Sequence, residues 1–238
     1  MKYLSLILLF LIAINGLIFS QNNSDSVFIY EDFDDKDSWE VLTFPKIKSH
    51  SHYEIVKFPD RSVLKAISDS SASGLVFQKI FNVNKYPIVE WKWKVSNIFE
   101  KGDAKSKQGD DYPLRVYIIF EYNPEEAGIF EKAKYNAAKL IYGEYPPHSS
   151  LNYIWANKTH QERIITNTYT SKAKMIVLRE GGNHAGKWVK EKINILQDYQ
   201  EAFGEKPPGQ ASLAIMSDSD NTGESAEAFI DFIRVSEK

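Results

Sequence analysis

Two acidic clusters carry most of the chemistry this sequence offers. Gly109-Asp110-Asp111-Tyr112-Pro113-Leu114-Arg115 sets adjacent carboxylates at the mouth of an apolar run, with a guanidinium four residues beyond Asp111. Asp218-Ser219-Asp220-Asn221-Thr222-Gly223 is an oxygen-rich loop that follows another apolar run. Groups of this kind ligate hard cations, orient the hydroxyls of a polar ligand, or serve as acid and base. As an EF-hand the second loop fails, because Phe229 stands where a bidentate glutamate is required. The remaining readings are an Asx-type turn, a calcium site of another geometry, or the lining of a binding site. No cofactor is expected. Calcium is the metal these ligands would suit, since cysteine is absent and the five histidines are dispersed. His50-Ser51-His52 has ligand spacing but no third partner nearby, and reads as an exposed loop.

Other residues extend the candidate set. Arg179 ends one β-rich run and Glu191 lies in the next, so a hairpin across Gly181-Gly182 would join them. That pair is either a structural ion pair or a site where Arg179 takes an anionic group. The aromatic set Trp91, Trp93, Tyr117, Tyr153, Trp155, Tyr169 and Trp188 could offer faces that stack on a sugar ring, and of its tryptophans Trp155 and Trp188 adjoin polar or glycine-rich segments. Trp91 and Trp93 alternate strictly with charges and read instead as core.

The elements that must position these groups are mostly strands. Val89 to Val95 is the cleanest, and places Val89, Trp91, Trp93 and Val95 on one face. Further runs are Val27–Tyr30, Tyr53–Phe58, Val63–Ser68, Gly74–Phe81, Leu114–Glu121, Ser149–Ala156, Lys174–Arg179, Trp188–Ile195, Ala211–Met216 and Ala228–Val235. Turn signals separate most of them, which is the pattern of a sandwich. Two helices are expected. Glu125 to Tyr142 carries an apolar stripe of Ile129, Ala133, Ala137 and Leu140, and Ile195 to Phe203 is closed by Gly204. The expected fold is all-β: one antiparallel β-sandwich domain of jelly-roll type over residues 21–238, with a helical insertion at 125–142. Strands of such a sandwich end at only two sides, and both acidic loops are expected at the same one, forming a single polar cleft.

Composition narrows the function. The chain has 238 residues, 43% hydrophobic and 13% aromatic, so it can bury a large core. With 29 basic against 32 acidic residues it lacks the excess that grips a phosphate backbone, and nucleic acid is not an expected partner. Met1-Lys2, the apolar run Leu4–Phe19 and Ser20 follow the plan of a cleaved signal peptide spanning residues 1–20. No later segment is apolar enough to span a bilayer, so no stable membrane insertion is expected after cleavage. Export without disulfides suits a bacterial periplasm or a secreted bacterial protein.

Several blocks resemble a known family. They are Trp91-Lys92-Trp93-Lys94-Val95, Gly109-Asp110-Asp111-Tyr112 with Arg115-Val116-Tyr117, Leu151-Asn152-Tyr153-Ile154-Trp155-Ala156, Gly186-Lys187-Trp188 with Glu191, and Met216-Ser217-Asp218-Ser219-Asp220-Asn221-Thr222-Gly223. In this order they resemble the bacterial domain-of-unknown-function family 3047, over most of the chain. Asn194 departs from the aspartate that the family carries more often. The resemblance implies an exported β-sandwich and supplies no catalytic residue.

The leading expectation is a module that binds a glycan or a small polar ligand. One alternative is a carbohydrate-active hydrolase or lyase using two of Asp110, Asp111, Glu191, Asp198, Asp218 and Asp220. Another is a structural envelope protein.

Overall fold

The computed structural model describes residues 26–142, 145–159 and 162–238. The expected signal segment lies outside the described residues. Fourteen strands and two α-helices follow in order: β1 (Val27–Glu31), β2 (Trp39–Leu42), β3 (His52–Lys57), β4 (Ser62–Asp69), β5 (Ala72–Phe77), β6 (Phe81–Asn82), β7 (Ile88–Val95), β8 (Tyr112–Phe120), α1 (Ile129–Tyr142), β9 (Ser149–Ala156), β10 (Ile164–Thr166), β11 (Ala173–Glu180), β12 (Val189–Asn194), α2 (Ile195–Phe203), β13 (Gln210–Asp218) and β14 (Ser225–Ser236).

They form the expected β-sandwich. One sheet has six strands in the order β12-β7-β14-β4-β3, with β1 also on β14. The other has eight, in the order β10-β11-β9-β8-β13-β5-β2, with β6 also on β13. The alternation of β7 does what its sequence demands. Val89, Trp91, Trp93 and Val95 point inward and are fully buried. Trp91 meets Tyr153 with ring centroids 5.6 Å apart, and Trp93 meets Trp155 at 5.8 Å. Aromatic side chains from both sheets therefore interlock across the middle of the sandwich.

The departures have local causes. β9 and β11 run parallel, so the eight-stranded sheet is mixed rather than wholly antiparallel. Parallel neighbours need a long crossover, and residues 157–172, which include β10, supply it. β2 was not expected because Trp39 alone among its four residues is buried, which leaves no alternation to read. β10 is too short to show a period. α2 forms where expected: the Asn194 side chain accepts from the amides of Leu196 and Gln197, and Gly204 closes the helix at φ 77°. Asparagine caps a helix as well as aspartate does, so the family departure at Asn194 has no structural penalty. α1 starts at Ile129 rather than Glu125, and its apolar stripe faces solvent instead of the core. Its buried contact is Tyr135, stacked on Tyr122 at 3.6 Å. Among the described residues no helix is long and apolar enough to cross a membrane.

Candidate functional site

The central strands of the larger sheet, β8 and β13, position the acidic loops. Leu114, Val116, Ile118 and Phe120 of β8 fill the core, which turns Arg115, Tyr117 and Ile119 to the outer face. Between Met216 and Asp218 of β13 the pairing with β8 shifts register. Pro113, which has no N–H to give the ladder, lies on the β8 side of that shift. The irregularity brings the Asp218 carboxylate to Arg115. Asp218 accepts from the Tyr112 amide at 3.2 Å and from the Arg115 guanidinium. Arg115 also approaches Asp110 at 3.4 Å and lies over the rings of Tyr112 and Tyr117.

The two acidic loops meet. Asn221 donates to Asp111 at 2.9 Å, and the Thr222 amide donates to its other oxygen at 2.6 Å. Asp111 is fully buried, and each of its oxygens accepts one of these bonds, so its side chain clamps the two loops together. Asp110 takes a hydrogen bond from Asn167 at 3.1 Å. Asp220 has no hydrogen bond to another described residue. Asp111, Asp218 and Asp220 offer oxygens within 4.8 Å of one another, and this is the set that could hold a hard cation.

One guanidinium thus pairs with Asp218 and Asp110, with Asp111 and Asp220 close beside them. Burial pushes the carboxyls of Asp110, Asp218 and Asp220 above the ordinary aspartate range, with Arg115 opposing and the other carboxylates adding repulsion. Burial opposes the charge on Arg115, yet Asp218 and Asp110 hold it protonated. For a carboxyl raised in the fold, ionisation costs stability as pH climbs through its folded value. Asp220→Asn is accordingly expected to raise the melting temperature by about 1–3 °C at pH 7, a modest gain because the site is partly solvated. The gain should vanish below about pH 4, where the carboxyl is protonated in both states. Thermal melts across that range check it, and equal melting temperatures at pH 7 would refute it.

A groove of about 640 Å³ opens beside this cluster, on the outer face of the eight-stranded sheet. Its floor includes Arg115, Tyr117, Ile119, Asn152, Ala214 and Met216, and the segment Phe44-Pro45-Lys46-Ile47 walls one side. Asp110, Asp218, Asp220, Asn221, Asn167 and Tyr169 surround its acidic end. A second hollow of about 410 Å³ shares Tyr117, Ile119, Ser150 and Ala173 and continues beneath α1, where Lys134 and Lys172 line it. At about 3.4 Å per residue, Arg115 and Ile119 are roughly 14 Å apart along β8, so the groove is elongated along the strands. Asn152 is almost fully buried on its floor, and its side-chain oxygen has no hydrogen-bond partner among the described residues.

Four expected site residues lie elsewhere. Trp155 is fully buried between the sheets and donates to the Gly181 carbonyl, so its face is closed to a ligand. Arg179 and Glu191 do pair, at 2.8 Å, but they stitch β11 to β12 across the two sheets, and Glu191 also accepts from the Trp93 indole at 3.0 Å. Trp188 packs beside Phe229 and under Lys92 and Lys94 on the outer face of the smaller sheet, away from the groove. Tyr117 and Tyr169, two of the aromatic residues considered for stacking, do line the groove, whereas Asn152 and Asn167 were not singled out from sequence. Tyr117 and Asn152 did leave a signal: each is a polar-tipped residue on the outward parity of an otherwise apolar strand.

A family model described as "Protein of unknown function (DUF3047)" matches residues 37–234. The chain belongs to this family. No curated protein matches significantly. Among solved structures, this DUF3047 chain is similar to a family 11 carbohydrate-binding module of a cellulosomal cellulase from Clostridium thermocellum, with TM-score 0.45, 10% identity and coverage of 89% of this chain and 93% of that one. It is also similar to a lectin from Bauhinia forficata in complex with GalNAc, with TM-score 0.43, 11% identity and coverage of 90% and 98%. A third is endoglucanase 3 of Trichoderma harzianum, from family GH12, with TM-score 0.40, 8% identity and coverage of 85% and 99%. At such identities no residue role carries across from them.

Proposed function

We propose that this protein is exported and binds a glycan along the outer groove of its eight-stranded sheet. The observation that carries this is Asn152, a buried amide oxygen on the groove floor without a partner. A buried acceptor left unpaired costs about 1–3 kcal/mol, and a ligand hydroxyl would satisfy it. The surroundings suit a sugar ring, which has apolar C–H faces and polar edges. Ile119, Ala214, Met216 and Phe44 provide apolar walls, Tyr117 and Tyr169 provide rings, and Asn167 and Asn221 add amides. The size also fits, within the range of about 300–1,000 Å³ usual for ligand sites.

The hydrogen-bond pattern supports binding over hydrolysis. Glycoside hydrolysis needs two carboxyl groups working on the substrate. Here Asp111 is spent on Asn221 and Thr222, and Asp218 on Arg115 and Tyr112. Asp110 is held by Asn167 and Arg115.

Asn152→Leu separates function from stability. It removes the unpaired acceptor at similar volume, so the fold is expected to be as stable as wild type or more so. Glycan binding should fall roughly tenfold or more, the scale of one lost buried hydrogen bond. Affinity electrophoresis of both proteins in neutral and acidic polysaccharides reads the effect. Wild type that is retarded by no polysaccharide, or a variant that binds as wild type does, refutes the proposal.

A further inference from the structure

We propose that the solvent-facing side of α1 is a docking surface for an anionic lipid bilayer, with the helix lying in the plane of the membrane interface. The stripe that reads as core in the sequence is turned outward: Ile129 is 85% exposed, Phe130 93% and Leu140 89%. Large apolar side chains so fully exposed on one short helix serve an interaction rather than the fold. At about 100° per residue, Ile129, Leu140, Ala133, Ala137 and Phe130 fall within an arc of roughly 100°. Tyr135, the residue that anchors α1 to the body, lies opposite the centre of that arc.

Charge selects the occupant. Within Ile129–Tyr142 there are three lysines against one glutamate, in a chain that is acidic as a whole. On the same wheel Lys134 lies about 40° beyond one edge of the apolar arc, and Lys132 and Lys139 flank the other, about 60–80° out and past Asn136. An apolar strip edged by lysines on both sides is the arrangement of an interfacial helix, whose rings and aliphatic chains enter the acyl boundary while the ammonium groups meet anionic headgroups. A second copy of the chain fits less well, because pairing the two strips face to face would set lysine edges against lysine edges.

Every strand among the described residues lies within 26–238, so the chain from Gln21 onward is the test protein, free of the apolar run 4–19. Its binding is measured by co-sedimentation with vesicles of phosphatidylcholine alone and of phosphatidylcholine with phosphatidylglycerol. The expected result is binding to the anionic vesicles, weakening as salt is raised, and none to the neutral ones. Phe130→Glu with Leu140→Glu should weaken it roughly tenfold or more with the melting temperature unchanged, since both side chains are exposed. Replacing Lys132, Lys134 and Lys139 by glutamine should do the same. The proposal is overturned if wild type binds neither vesicle, if the Phe130/Leu140 variant binds as well as wild type, or if sedimentation finds a wild-type dimer that the same variant converts to monomer.

Discussion

Arg115→Met is expected to lower stability by about 3–5 kcal/mol at pH 7, the usual cost of removing one partner from a buried ion pair, and by much less near pH 4. Methionine keeps most of the length and the apolar stem. What it removes is the positive charge that Asp218 and Asp110 face in a nearly dry setting. At pH 7 the variant leaves Asp218 and Asp110 without their cation beside Asp111 and Asp220, and Asp218, fully buried, has no water to turn to. As pH falls, carboxyls already raised by burial take up protons before ordinary ones do. The repulsion then disappears, and with it most of the variant's deficit. Urea denaturation at the two pH values makes the comparison. An equal loss at both would assign the effect to packing and not to charge.

The same cluster marks how far the sequence could be read. That Asp110-Asp111 and Asp218-Asp220-Asn221 share an end was only an even choice on topology, since strands have two ends, and the polar blocks of the family resemblance tipped the expectation towards one cleft. Which carboxylate meets which partner did not follow. The register shift near Pro113 decides that Arg115 reaches Asp218 and Asp110, while Asp111 turns to Asn221 and Thr222. Period-two patterns carry no signal for a shift of this kind. Trp155 read as a site candidate because polar neighbours flank it in sequence, and Arg179 and Glu191 because a hairpin would pair them, as an ion pair or as an anion site. In the fold that polarity is internal: an ion pair and an indole N–H satisfy each other where the two sheets join. For α1 the stripe was correctly seen and wrongly faced, since an apolar period says that one side differs and not which side meets the body.

Trp93→Ala is expected to cost about 3–5 kcal/mol, the range for deleting a large buried aromatic side chain. Trp93 is fully buried, lies edge-on to Trp91 at 5.7 Å and meets Trp155 at 5.8 Å, so alanine would leave a cavity between the sheets walled by rigid rings. Trp91 stands on the same strand and Trp155 on the facing sheet, so the rings cannot close the space without shifting the sandwich. Trp93→Phe should cost less, about 1–2 kcal/mol, because a ring remains and only the indole donor to Glu191 is lost. Glu191 still keeps both of its bonds from Arg179. Urea denaturation of the two variants reads these differences, and a loss below about 1 kcal/mol for Trp93→Ala would contradict the packing assigned to it. The phenylalanine variant also tests where the ligand binds. Trp93, Arg179 and Glu191 form a unit at the join of the sheets, whereas the groove floor around Asn152 lies on the outer face of one of them. Glycan binding should therefore survive Trp93→Phe unchanged. If it is lost while the fold stays intact, the ligand contacts the Arg179–Glu191 pair and the groove is not the site.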